Sequence, residues 1–305
     1  FPFSAYAGSD PSDTATGSYS YTSQEGSNRQ VEDSFLWHDK CFEYSSYEGC
    51  SHLLLLSAQA SIASRSRWGD SEDRSEQDTS NGAQNILAFL ESAGFSNVES
   101  NAWYSHEMQT DSCGVAVGQR TLTIDGSEYT LLAIIPRSAG YRQEWAGNMN
   151  VGSGDVHQGF IAARDEVLRF VKSYISSHDI KGRLKVWIAG HSRGAAVSNL
   201  LGGFFAGGGI GYFGSSVSIE PEDVYCYTFG TPRTVKDGIS KTTVLSVGAS
   251  RGGAYVYDTE GEAYIFAEDG SVNVNDVVFS GIRNYPFEYD FITYLPFEEW
   301  GFTYY

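Results

Sequence analysis

A glycine-flanked serine set between a strand-like run and a helix-like run is the feature that most narrows what this chain can fold into. Leu184, Lys185, Val186, Trp187, Ile188 and Ala189 read as a buried strand, and Ala195 to Phe205 read as an apolar helix. Between them stands Gly190-His191-Ser192-Arg193-Gly194, a G-x-S-x-G sequence. A chain that passes from strand to helix in so few residues needs small residues around the turn. The turn then exposes the serine hydroxyl beside the unpaired N–H groups that open the helix. The bare pattern is weak in a chain with 34 glycines, and Gly248-Ala249-Ser250-Arg251-Gly252 matches it too. Context separates the two. Gly253 to Tyr257 after the second match is strand-like, so Ser250 reads as part of an ordinary glycine-rich turn.

The flanking segments extend the same rhythm. Gly159 to Ser176 is an amphipathic helix with Phe160, Ala163, Val167, Phe170, Val171 and Tyr174 on one side, and Val224 to Phe229 is a strand. Helix, strand, helix, strand implies parallel strands with right-handed crossovers. Leu53 to Ser64 reads as a buried helix. Asn81 to Ala93 reads as an amphipathic helix stopped by Gly94. Gly114 to Val117 and Glu128 to Ile135 read as strands, and Asp125-Gly126 marks a hairpin. The region from Thr242 to Phe279 breaks the rhythm and reads as a β-hairpin insertion, Tyr255 to Tyr257 and Tyr264 to Phe266 flanking Glu260-Gly261. Residues 1–30, rich in Ser, Gly, Tyr, Asp and Thr, read as an extended, loosely attached arm. No repeat or linker divides residues 31–305, which read as a single domain.

Composition closes off other classes. The net charge of −18 argues against binding nucleic acid through phosphates or anionic lipid through a basic face. No run approaches eighteen apolar residues, so no integral membrane span is expected. No C-x-x-C and no His pair at ligand spacing is present, so no metal site is expected. Gly202-Gly203 and Gly207-Gly208-Gly209 are not followed by G-K-[ST] and read as a flexible loop rather than a phosphate cradle. Cys41 and Cys50, nine apart around a polar turn, read as a local disulfide, and Cys226 as a buried thiol. With an acidic, lysine-poor surface, the disulfide points to a secreted or extracellular protein.

Four segments carry a resemblance. Val186 to Leu200 resembles the elbow of class 3 lipases, whose usual form is G-H-S-L-G-G-A. Asp155 to Phe160 resembles the family's V-H-x-G-F, and Tyr227 to Arg233 its T-F-G-x-P-R strand end. Ile134 to Ser138, with Trp145 beyond, resembles its oxyanion strand, normally F-R-G-T followed by a Trp. The resemblance spans about residues 113–305, and the first hundred residues resemble the N-terminal part of bacterial secreted members. Arg193 stands where the family has Leu, and Ser138-Ala139 where it has Gly-Thr. The resemblance implies an α/β-hydrolase fold, with a mostly parallel central sheet and helices on both faces. It also implies hydrolysis of carboxylic esters, with an ester or lipid as the substrate and no cofactor.

The site expected on this basis has Ser192 as the nucleophile. The backbone N–H groups of Arg193 and Ser138, the latter with its hydroxyl, form the oxyanion hole. In this fold the acid and then the histidine follow the serine in the chain. The family's N-x-x-x-x-x-D-x-V-P-x-L-P is fitted by Asn284, Asp290, Ile292, Leu295 and Pro296, so Asp290 is the expected acid and Asp276 its competitor. None of the six histidines, His38, His52, His106, His157, His178 and His191, follows Asp290, and the sequence stops at Tyr305. The expectation is a chain that ends before its catalytic histidine, which would lie beyond Tyr305. The alternative is a lipase-like binding or surface module with an impaired triad.

Overall fold

The computed structural model describes residues 14–22, 30–65, 76–104, 112–139, 142–154, 156–236, 256–257, 263–264, 281–285 and 302–303. In chain order the N-terminal part forms β1 (Thr14–Thr22), β2 (Gln30–His38), α1 (Ser51–Ala63), α2 (Glu76–Ser92), β3 (Ser96–Ser100), β4 (Val115–Ile124) and β5 (Ser127–Pro136). Next come α3 (Arg142–Asn148), α4 (Gln158–Ser177), β6 (Gly182–His191), α5 (Arg193–Ala206), β7 (Val217–Ser218) and β8 (Val224–Phe229). Short strands β9 (Val235–Lys236), β10 (Val256–Tyr257), β11 (Ala263–Tyr264), β12 (Ile282–Tyr285) and β13 (Phe302–Thr303) follow.

The central sheet runs β12-β8-β6-β5-β4-β3, with β7 beside the start of β6. Strands β12, β8, β6 and β5 are mutually parallel, and β4 and β3 are antiparallel additions at one edge. The β4–β5 turn is the expected Asp-Gly hairpin: Asp125 and Gly126 both take positive φ, 49° and 76°, which matches the twist of the strands. In the expected insertion, Val256 and Tyr257 pair antiparallel with Tyr264 and Ala263. The rest of 242–280 lies outside the described residues. The α/β-hydrolase architecture, a mostly parallel sheet between two helical layers, is the one expected from the sequence.

The period of two along each strand assigns the layers. Leu184, Val186 and Ile188 of β6 face a core shared with α4 and α5, where Val167, Val171, Val197, Leu201 and Phe205 are buried. Trp187 and Ala189 face the other core, made with α1, α2 and the β1–β2 hairpin from Phe35, Trp37, Phe42, Leu53, Leu56, Ile86, Phe89 and Leu90. Lys185 lies on that second face as a buried ammonium, paired with Asp223 and donating to the Tyr225 hydroxyl at 3.3 Å. Gly202 and Gly203 fall inside α5 rather than in a loop. A Cβ at Gly202 would stand 3.1 Å from Cys226 Sγ and from Ile282, so glycine lets α5 lie close on the sheet. Cys41 and Cys50 are bonded, and Cys113 and Cys226 are buried free thiols.

The N-terminal arm needs correction. Residues Thr14–Thr22 pair along their full length with Gln30–His38. Tyr19, only 4% exposed, packs edge-on to Phe89 of α2 with ring centroids 5.4 Å apart. Its hydroxyl donates to Asp33 at 3.2 Å. A segment with almost no aliphatics is tied down by one tyrosine in an aromatic cluster. Tyr19→Ala should therefore lower the unfolding free energy by about 3 kcal/mol, the usual cost of deleting a buried aromatic. Urea denaturation checks this, and a change within roughly 0.5 kcal/mol, the surface range, would mean that the hairpin is not part of the core.

Candidate active site

Strand β6 ends at His191 and α5 begins at Arg193, so Ser192 alone makes the reversal. Its backbone sits at φ 55°, ψ −124°, a conformation that an L-residue avoids. The neighbours determine why it persists. The Ser192 N–H donates to Phe229 O at 3.0 Å, and Ser192 O accepts the first helical bond from Ala196 N at 3.0 Å. A Cβ on Gly190 would lie 2.5 Å from Gly194 O, and one on Gly194 would lie 2.5 Å from Pro136 O. Both glycines are therefore dictated by backbone approach. The second contact also brings the β5 end, and with it Arg137 and Ser138, against the first turn of α5.

Ser192 opens on a cleft lined by Trp145, Asn148, Met149, His157, Phe160, Arg193 and Pro232, enclosing ≈ 340 Å³ including the solvent at its mouth. Four apolar residues, Trp145, Met149, Phe160 and Pro232, share the lining with four polar ones, a mixture that suits a small-molecule site. Ser138 is adjacent, but its hydroxyl is engaged: it donates to His191 O at 2.9 Å and lies 3.0 Å from His191 Nδ1. That leaves its main-chain N–H, rather than its hydroxyl, for the expected oxyanion role. The same bonds hold the His191 ring toward Ser138.

Two buried guanidiniums brace the cleft wall. Arg137 at the end of β5 forms an ion pair with Glu144 of α3 at 2.8 Å, and its second contact is Trp103 O at 3.1 Å. Arg193 donates through Nε and Nη2 to Ser112 O at 3.2 and 2.9 Å, and through Nη1 to Asn148 Oδ1 at 2.7 Å. Gly159 at the start of α4 touches Gly147 so closely that a Cβ would lie 1.9 Å from Gly147 O. Sequence reasoning singled out Arg193 as a departure from the family but missed Asn148, whose partner is remote in the chain.

At the C-terminal ends of β8 and β12, the same end of the sheet as Ser192, lies a buried polar network. Asn284 Oδ1 accepts from Asn199 Nδ2 at 3.0 Å and from Thr228 Oγ1 at 2.6 Å. Thr231 Oγ1 donates to Thr228 Oγ1 at 2.8 Å, and Thr234 Oγ1 to Asn199 Oδ1 at 2.6 Å. Asn199 sits two turns after Ser192 in α5, so the network ties that helix to the strand leading toward Asp290. A polar Asn inside an otherwise apolar helix was the signal for it. Asp290, Asp276, His106 and Ser250 lie outside the described residues. So does Tyr305.

Of the described histidines, His157 is the one that lines the cleft. Its Nε2 lies 3.1 Å from Asn148 O, and its ring stacks on Phe160 with centroids 3.9 Å apart. His38 stacks near His52, and His178 pairs with Glu99 at 2.8 Å. Burial pushes the His157 pKa down from 6.5 to about 4; the bond to Asn148 O opposes this and the Arg193 charge adds to it. The unfolded chain then binds more protons than the fold at pH values between these limits. This contribution to stability is complete above about pH 6.5 and is lost as the pH falls toward 4. His38, also pushed down by burial, acts in the same direction. His157→Gln should narrow the difference in unfolding free energy between pH 7 and pH 4.5, measured by urea titration. An unchanged difference would refute the burial of a neutral ring at this position.

Residues 136–251 match the family model for lipase (class 3). No curated protein matches the chain. Among solved structures, a fungal lipase in complex with an inhibitor, presented as a model for interfacial activation in lipases, matches at 18% identity. It covers 70% of this chain and 66% of its own, just under two thirds, with a TM-score of 0.37. The family match begins at residue 136, so the likeness of the first hundred residues to bacterial secreted members gains nothing from it. No described helix is long and apolar enough to cross a membrane. The elbow, the β5 end and the cleft helices that the motifs singled out lie within one stretch, and that stretch, residues 136–251, is similar to the class 3 lipase family.

Proposed function

We propose that the protein is a serine hydrolase of carboxylic esters, of lipase or esterase type, acting through an acyl-enzyme on Ser192. The observation that carries this reading is the strained Ser192 at the start of α5, opening on a partly apolar cleft. Ser192 Oγ attacks the ester carbonyl carbon while a histidine base takes its proton, with Asp290 as the acid that orients the base. The oxyanion that forms meets the main-chain N–H of Arg193, where the helix dipole favours negative charge, and that of Ser138. Collapse breaks the C–O bond to the alcohol, which leaves with the proton. Water then releases the acid by the reverse sequence. Trp145, Met149, Phe160 and Pro232 suit an apolar acyl chain, which favours lipid or related esters. The Cys41–Cys50 bond favours an oxidising location, hence secretion.

A second reading, a lipase-like binding module without turnover, is favoured by one observation. The cleft histidine His157 has Nε2 turned to Asn148 O and a pKa of about 4, which makes it a poor base at neutral pH. Labelling with an alkyl fluorophosphonate separates the two readings. Stoichiometric labelling of the wild type, abolished by Ser192→Ala and untouched by Ser250→Ala, is the expected result. Ser192→Ala should also reduce hydrolysis of a short p-nitrophenyl ester by at least about a thousandfold. A wild type that takes no label is the module; labelling or hydrolysis that survives in Ser192→Ala sinks the assignment of the nucleophile.

A further inference from the structure

Arg193 is only 1% exposed, and its guanidinium reaches three separate parts of the chain. Nε and Nη2 both donate to Ser112 O, just ahead of β4. Nη1 donates to Asn148 Oδ1 at 2.7 Å and to Glu144 O at 3.4 Å, two residues one turn apart on α3. Its central carbon stands 5.8 Å from the Phe160 ring centroid on α4. Helix α3 has seven residues, too few to hold its shape without tertiary contacts. It also supplies Trp145 and Asn148 to the cleft, with Met149, 59% exposed, just beyond its end. The side chain that follows the nucleophile thus grips the helix that lines the substrate cleft.

We propose that the Arg193 side chain is a positioning residue for substrate binding. It clamps α3 to the nucleophile turn, so that Trp145 and Met149 hold their places relative to Ser192 before any substrate arrives. A leucine could fill the same volume but has no donors for Ser112 O, Glu144 O or Asn148 Oδ1. Fixing the wall in advance removes an ordering cost from binding and leaves the chemical step largely alone. The kinetic consequence rests on the hydrolase reading above; the mechanical one does not.

Two variants test the clamp, Arg193→Leu and Asn148→Ala, the second removing only the 2.7 Å bond. Hydrogen exchange followed by mass spectrometry should show amides of residues 142–149 exchanging at least about tenfold faster, with β6 unchanged. In saturation labelling with an alkyl fluorophosphonate, the half-saturating concentration should rise about tenfold. The rise in half-saturation should exceed any fall in the maximal rate, and the labelled fraction should not change. Unchanged exchange over 142–149 overturns the proposal. So does a reduced labelled fraction with unchanged half-saturation, the mark of a merely structural residue. If Arg193→Leu does not fold, Asn148→Ala carries both measurements. If the wild type takes no label, the hydrolase reading fails and exchange alone decides the clamp.

Discussion

Between the last residue of β6 and the first of α5 there is room for one side chain and almost nothing else. Gly190 lies against Gly194, and Gly194 against Pro136 O. Within that squeeze Ser192 is held at φ 55°, a strain of roughly 1–3 kcal/mol by the usual reckoning. The rest of the site is arranged around this contact. It puts the N–H groups of α5 next to the serine oxygen. It presses the β5 end, with Arg137 and Ser138, to the same point. It also orients Arg193 so that its side chain runs back toward α3. The strain is sustained by two packed cores and a ladder of parallel strands, so it is the sheet that holds the serine in readiness.

Burying two guanidiniums beside such a turn is expensive unless each is bonded on arrival. Arg137 meets Glu144 in an ion pair in which both side chains are buried. Arg193 instead meets two main-chain carbonyls and an amide oxygen. Truncating either is costly for the same reason, because buried partners, Glu144 and Ser112 O, are left behind. The outcome is a cleft wall fastened from two sides, by the strand end that leads into it and by the helix that carries the nucleophile turn.

How much of this could be read from the sequence depended on the reach of each interaction. The elbow was legible because its causes are local: Gly190 and Gly194 are needed within five residues of each other, and an apolar strand and helix flank them. The β4–β5 hairpin was legible for the same reason, through Asp125 and Gly126. The β1–β2 hairpin was not. The polar residues of its first strand resemble a tail, and it is Tyr19, meeting Phe89 far along the chain, that joins this strand to the core. The Arg193 clamp was equally hidden, since Ser112 and Asn148 are 81 and 45 residues away. For the triad, sequence placed Asp290 by motif alone, and the polar network of Asn199, Thr228 and Asn284 shows how the strand before it is anchored.

The sheet has two faces, and the lipase-like stretch of 136–251 provides only one of its helical covers. The other is built by residues that precede it, with Phe35, Trp37, Phe42, Leu53, Leu56, Ile86, Phe89 and Leu90 set over Trp187 and Tyr225. Cut out by itself, the family segment would leave one whole side of its strands as a bare apolar slab, the kind of surface on which chains pile up rather than fold. The unit that can be recognised and the unit that can be inherited intact are therefore different sizes. Any relative that keeps this elbow must also keep some cover for Trp187, even where that cover has drifted beyond sequence comparison.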